Sequence, residues 1–188
     1  MQRRQIASLA ATLPLLAAGG LVASRPAKAA STRAEIDASV HQALARLRGM
    51  ENAAPLIRHA HAMLIFPRIL SGGFIIGGQY GEGALLRGER TEGYYNIAGA
   101  SFGFLAGVQS AGLAMFFMNE RGLIGLNAAS GWEIGTGPSV TFLGEGVQAN
   151  ATSTTLTQDV YAISFGQQGL MASLALNGTK ITRINPRA

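Results

Sequence analysis

Ala62-Met63-Leu64-Ile65-Phe66-Pro67, followed by Gly72-Gly73-Phe74-Ile75-Ile76-Gly77-Gly78 and then Gly81-Glu82-Gly83, is the stretch on which the fold turns. It opens with an apolar run that reads as a strand stopped by Pro67, because proline cannot donate to a ladder. Residues 72–80 and 83–87 read as two more strands, broken at Gly81. Short apolar and aromatic runs set between glycine turn signals describe a sheet, not a helix.

Downstream the pattern repeats. Residues 94–97, 101–109, 113–118, 132–135, 139–143, 146–149, 160–165, 170–176 and 180–184 read as further short strands, and residues 121–128 as one or two helical turns. Turn residues recur between them, which argues for a closed or sandwiched antiparallel sheet. Upstream the period changes. Ser31 or Thr32 can cap a helix, and Glu35 stands at the capping-box spacing from Thr32. Ile36, Val40, Leu44 and Leu47 then recur at helical spacing, giving one apolar face that ends near Gly49. Pro55 suits the first position of a second, short helix ending near His59. The fold expected is therefore α+β, with an N-terminal amphipathic helix or helices packed on a glycine-rich, mostly antiparallel β barrel or sandwich. Ile65, Phe66, Phe74, Ile76, Phe102, Phe104, Met115 and Phe117 supply the large groups of its core.

Residues 93–119 carry no charge, and Gly99, Gly103 and Gly107 have the spacing that packs membrane helices. The segment also alternates, with Phe102, Phe104, Ala106 and Val108 on one face of a strand. Two strands joined by a turn at residues 110–112 is the preferred reading.

The amino terminus reads as an export signal. Arg3 and Arg4 precede an uncharged run over residues 6–22, and Ala27-Lys28-Ala29 offers small residues where a signal peptidase cuts. Cleavage near Ala29 leaves residues 30–188 as a single domain, exported and periplasmic or secreted. Both an ordinary secretory route and a twin-arginine route fit Arg3-Arg4-Gln5-Ile6. With no cysteine in the chain, a lipid anchor on cysteine is excluded.

The signal also distorts the charge balance. Of the fifteen basic residues, Arg3, Arg4, Arg25 and Lys28 precede residue 30 and none of the ten acids does, so eleven basic residues face ten acids beyond it. That near-neutral balance disfavours bulk nucleic-acid binding. Glycine makes up 25 of 188 residues and only 13% of residues are charged. Both values depart from ordinary usage, about 7% and about 25%, toward a tightly packed β domain.

Catalytic chemistry finds few candidates. His41, His59 and His61 all lie in the N-terminal part, and no nucleophile elbow accompanies them. His59 and His61 would share a face only on a strand, and no third metal ligand stands near them in sequence. The glycines of residues 72–83 lack the spacing and the following acidic residue of a dinucleotide fingerprint. No enzyme, metal or cofactor is expected. What remains is an excess of arginine. Arg46, Arg48, Arg58, Arg68, Arg87 and Arg90 stand against Glu51, Glu82 and Glu89 between residues 41 and 90, and guanidinium forks suit phosphate oxygens.

The motifs in order resemble those of the SYLF domain family. Residues 62–67 resemble its A-x-x-I-F-P element, and the glycines that follow resemble its G-G-x-x-x-G-G and G-x-G elements. Tyr94-Tyr95, the run from Gly99 to Ser110, Phe117-Met118-Asn119-Glu120-Arg121-Gly122-Leu123, Val160-Tyr161-Ala162-Ile163-Ser164 and Gly169-Leu170-Met171-Ala172-Ser173-Leu174 extend the likeness across most of residues 40–184. Leu105 stands where the family has Gln. The resemblance implies a non-enzymatic binding module. Eukaryotic members bind phosphoinositide membranes and actin, and bacterial members stand alone and are exported. The partners expected are therefore an anionic membrane lipid or membrane surface, or another envelope protein. The headgroup site is expected where the N-terminal helix joins the sheet, at Arg46, Arg48, Arg58 and Arg68.

Overall fold

The computed structural model describes residues 30–73, 76–102, 108–127, 130–143, 156–168 and 178–188. The fold is α+β. Helix α1 (Arg33–Arg48) and helix α2 (Ala54–His59) precede β1 (Ala62–Gly73), β2 (Ile76–Arg87), β3 (Arg90–Phe102) and β4 (Val108–Phe117). Two 3-10 turns, Glu120–Leu123 and Gly125–Asn127, lead to β5 (Trp132–Glu133), β6 (Val140–Leu143), β7 (Val160–Gln168) and β8 (Lys180–Ile184). All eight strands form one curled sheet in the order β5-β8-β3-β2-β1-β4-β7-β6. Among the described residues only the β6–β7 pair is parallel. Among the described residues the expected barrel or sandwich is thus a curled, mostly antiparallel eight-stranded sheet with the short strands β5 and β6 at its two edges.

Helix α1 begins and ends as its sequence dictates. Thr32 accepts the backbone N–H of Glu35, and the Glu35 carboxylate accepts that of Thr32, closing a capping box. Ile36, Val40, Ala43, Leu44 and Leu47 are buried on one face, against Met63, Ile65, Ala84, Leu86, Phe116 and Ile163 of the sheet. The other face of the sheet holds a second core of Leu64, Phe66, Ile69, Leu113, Met115 and Phe117, closed by Leu123, Leu126 and Trp132. Neighbouring residues of β1 and β4 feed opposite cores, as strand alternation requires. Of the eight core residues expected, Ile65, Phe66, Met115 and Phe117 are buried. The side chains of Phe74, Ile76, Phe102 and Phe104 lie outside the described residues.

Strand boundaries differ from expectation at four places. Pro67 does not stop β1. The registers with β2 and with β4 both shift around it, between Ile65 and Arg68 on one side and between Phe66 and Ile69 on the other. A bulge dispenses with the N–H that proline lacks. It also reverses the alternation, so that Phe66 and Ile69 face the same core. Gly81 does not break β2 either: it pairs with Ile69 on one side and Ile97 on the other. Its neighbour Gly83 is needed for packing, since a Cβ there would lie 2.1 Å from the Ile65 carbonyl oxygen. Residues 72–80 are not one strand, because Gly73 ends β1 and pairs with Gly77 of β2. The turn expected at residues 110–112 is instead continuous strand, with β4 running from Val108 to Phe117. Among the described residues no helix is long and apolar enough to cross a membrane. The strands expected at residues 146–149 and 170–176, and the signal segment, lie outside the described residues.

Candidate functional site: two arginine clusters

Helix geometry decides what the expected arginines can do. Arg46 and Arg48 lie two residues apart in the last turn of α1, which turns their side chains about 200° apart. Arg48 donates to Glu89 at 2.7 Å, in the turn between β2 and β3. That ion pair holds the Glu89 carboxyl below the usual carboxylate range. Arg46 extends toward Gly166 of β7, whose Cβ position lies 3.8 Å from the Arg46 guanidinium. Strands β2 and β7 are separated by β1 and β4, so the two arginines reach different parts of the sheet. Arg58 is exposed in the last turn of α2. Arg68 is exposed on β1 opposite Glu82. The Glu82 carboxylate accepts the N–H of Ser31 at 3.2 Å, which places Arg68 near the start of α1. Arg46, Arg48 and Arg58 therefore occupy the C-terminal ends of the helices, and Arg68 stands about one helix length away.

A second cluster has no local sequence signal. A cleft of about 660 Å³ opens where β8 stops at Ile184 beside the first residues of β3, lined by Arg33, Thr91, Gly93, Tyr94, Arg183 and Asn185 among others. Residues 185–187 leave the sheet there and cross to α1. The N–H of Arg33 donates to the Arg187 carbonyl at 2.9 Å. The Arg33 side chain donates to the Pro186 carbonyl at 3.1 Å and to Asn185 Oδ1 at 2.5 Å. Its guanidinium lies 6.0 Å from the centre of the Tyr94 ring. Asp37, one turn further along α1, accepts the hydroxyls of Thr91 and Tyr94, each at 2.9 Å. Burial, and then the Asp37 carboxylate, raise the pKa of Tyr94.

Each histidine is accounted for. His41 and His59 bond the carbonyls of Asp37 and Pro55 one helical turn back, and His61 pairs with Glu120. None bonds a hydroxyl, so the described residues hold no His-activated serine or threonine nucleophile. Arg87 also reaches Glu120 at 3.3 Å while donating to Glu92 at 2.7 Å. Gln79 donates to Thr179 at 2.6 Å inside the opposite core, a neutral pair suited to structure.

Residues 98–185 match the family model Ysc84, described as "Las17-binding protein actin regulator", the SYLF family that the motifs resemble. The match covers the end of β3 and all of β4 to β8; the motifs of residues 62–83 precede it. No curated protein matches the chain significantly.

Proposed function

We propose that the chain is a non-catalytic module of the bacterial envelope that binds anionic phospholipid at a membrane surface. Exposed Arg46 and Arg58, at the C-terminal ends of α1 and α2, carry this reading, because neither forms an ion pair among the described residues. The match to a family of binding domains supports it. Each cation near an anionic surface contributes about 1 kcal/mol. Two such cations give only weak binding, so apolar contact has to supply the rest. The test is sedimentation with phosphatidylglycerol or cardiolipin vesicles. Salt-sensitive pelleting above that with neutral vesicles is expected, and equal pelleting with both would sink the reading.

The alternative is a module that docks another envelope protein. One observation favours it: Phe142, on the edge strand β6, is 47% exposed. The family description, which names protein binding, points the same way. Crosslinking that recovers one stoichiometric protein partner, independent of lipid, would favour docking over lipid.

A further inference from the structure

We propose that the cleft between α1, the start of β3 and the end of β8 is a phosphate-binding site, with Arg33 and Arg183 as its anion-binding groups. The proposal deepens the lipid reading and rests on it only for the source of the phosphate. Arg33 and Arg183 reach the cleft from elements 150 residues apart in sequence, and neither has a carboxylate partner among the described residues. Their hydrogen bonds go to neutral acceptors. Arg33 uses the Pro186 carbonyl and the Asn185 side chain, and Arg183 uses the Glu92 carbonyl at 3.3 Å.

The nearby acids are occupied elsewhere. The Glu92 carboxylate takes Arg87 at 2.7 Å. Asp37 accepts the two hydroxyls of Thr91 and Tyr94. Two guanidinium groups thus line one cleft with Glu92, whose carboxylate is taken by Arg87, while they themselves bond neutral acceptors, an arrangement that a doubly charged anion completes.

Gly93 keeps the cleft open. A Cβ there would lie 3.2 Å from the Arg183 guanidinium and 3.3 Å from the Tyr95 ring, and would crowd Arg183. The start of α1 is not itself the anion site. Its Arg33 N–H is given to Arg187, and its Glu35 N–H to Thr32. The chemistry that fits is a phosphate monoester or diester, on a soluble molecule or on a phospholipid headgroup.

The test is a nuclear magnetic resonance titration of the protein with inorganic phosphate, using chloride at equal ionic strength as the reference. Saturable shifts at the amides of Gly93, Arg183 and Asn185 are expected at concentrations on the order of millimolar. Arg183→Gln should weaken them about tenfold or more, and Arg183→Lys should weaken them less. Arg121→Gln, at an exposed arginine in the first 3-10 turn, should leave them unchanged. Absence of saturable shifts at these amides overturns the site, as does their persistence in Arg183→Gln with a native spectrum.

Phosphatidylglycerol vesicles then identify the source. Reduced pelleting of Arg183→Gln assigns the phosphate to a lipid headgroup. Phosphate binding with unchanged pelleting assigns it to a soluble ester. Both results uphold the site. Vesicle binding without any phosphate titration keeps the membrane reading and removes this proposal.

Discussion

The carboxylate of Asp37 on α1 accepts the hydroxyl of Tyr94 on β3 at 2.9 Å, and this bond helps fix where the helix lies on the sheet. Asp37→Ala would leave two part-buried hydroxyls, those of Tyr94 and Thr91, without this acceptor. A loss of about 1–3 kcal/mol in urea unfolding is expected. The Tyr94 phenol should also titrate lower in the variant, though still above its ordinary value, since burial is the larger cause of its shift. An unchanged phenol titration would show that the helix and Tyr94 are not coupled in this way.

Gly83→Ala is expected to destabilise the domain by about 3 kcal/mol. The new methyl group meets a main-chain oxygen, Ile65 O, which has no rotamer by which to escape. Gly88→Ala, at a turn glycine with φ of 64° and nothing within 4 Å, should cost only about 1 kcal/mol, from backbone strain alone. Thermal unfolding of the pair separates packing from conformation.

The capping box predicts a smaller effect. Thr32→Ala removes the acceptor for the Glu35 N–H and should cost about 1 kcal/mol. Arg33, one residue on, would still hold residues 185–187. The variant should therefore loosen the first turn of α1 without opening the cleft, which amide exchange across residues 33–40 would report.

Glu120 gives a pH signature. Its bond to His61, with further help from Arg87, holds its carboxyl below the ordinary range. A depressed carboxyl contributes stability above its unfolded-state pKa, and that contribution is lost as pH falls through the folded value. The link between the start of β1 and the end of β4 should thus persist at neutral pH and weaken only in acid. In His61→Ala the Glu120 carboxyl should titrate closer to its ordinary value, followed by carbon-detected resonance.

Membrane binding should distinguish the arginines. Changing Arg46 and Arg58 together to Gln should weaken binding to anionic vesicles about thirtyfold, from about 1 kcal/mol per charge. Arg68→Gln should do little, since Arg68 sits opposite Glu82 on the paired strand. Equal effects would mean that position on the fold does not matter, and that net charge alone attracts the protein.

Where a sequence feature acts locally, the chain was legible. The spacing of Ile36, Val40, Leu44 and Leu47 gave a buried helix face, and residues 180–184 gave β8 with matching bounds. Pro67 misled because the rule for proline in strands describes regular ladders, whereas here both neighbouring strands shift register around it. The turn placed at residues 110–112 failed for a related reason. Gly112 makes room for the ring of Phe165, which a Cβ there would approach to 2.4 Å, so that glycine marks packing and not a turn.

The arginines teach the converse. Arg46 and Arg48 are close in sequence and diverge on a helix, while Arg33 and Arg183 are far apart and line one cleft because β8 lies beside β3. No window of neighbouring residues contains that information. Only the strand order supplies it.

The crossing of residues 185–187 to the first turn of α1 also sets a timetable. Arg33 is held by Pro186, 153 residues later, so helix α1 waits for a segment far downstream before its start is secured. The central strands can pair earlier, through β1, β2, β3 and β4. Assembly therefore runs from the middle of the sheet outward, and the cleft is finished only when the chain has been made through Arg187.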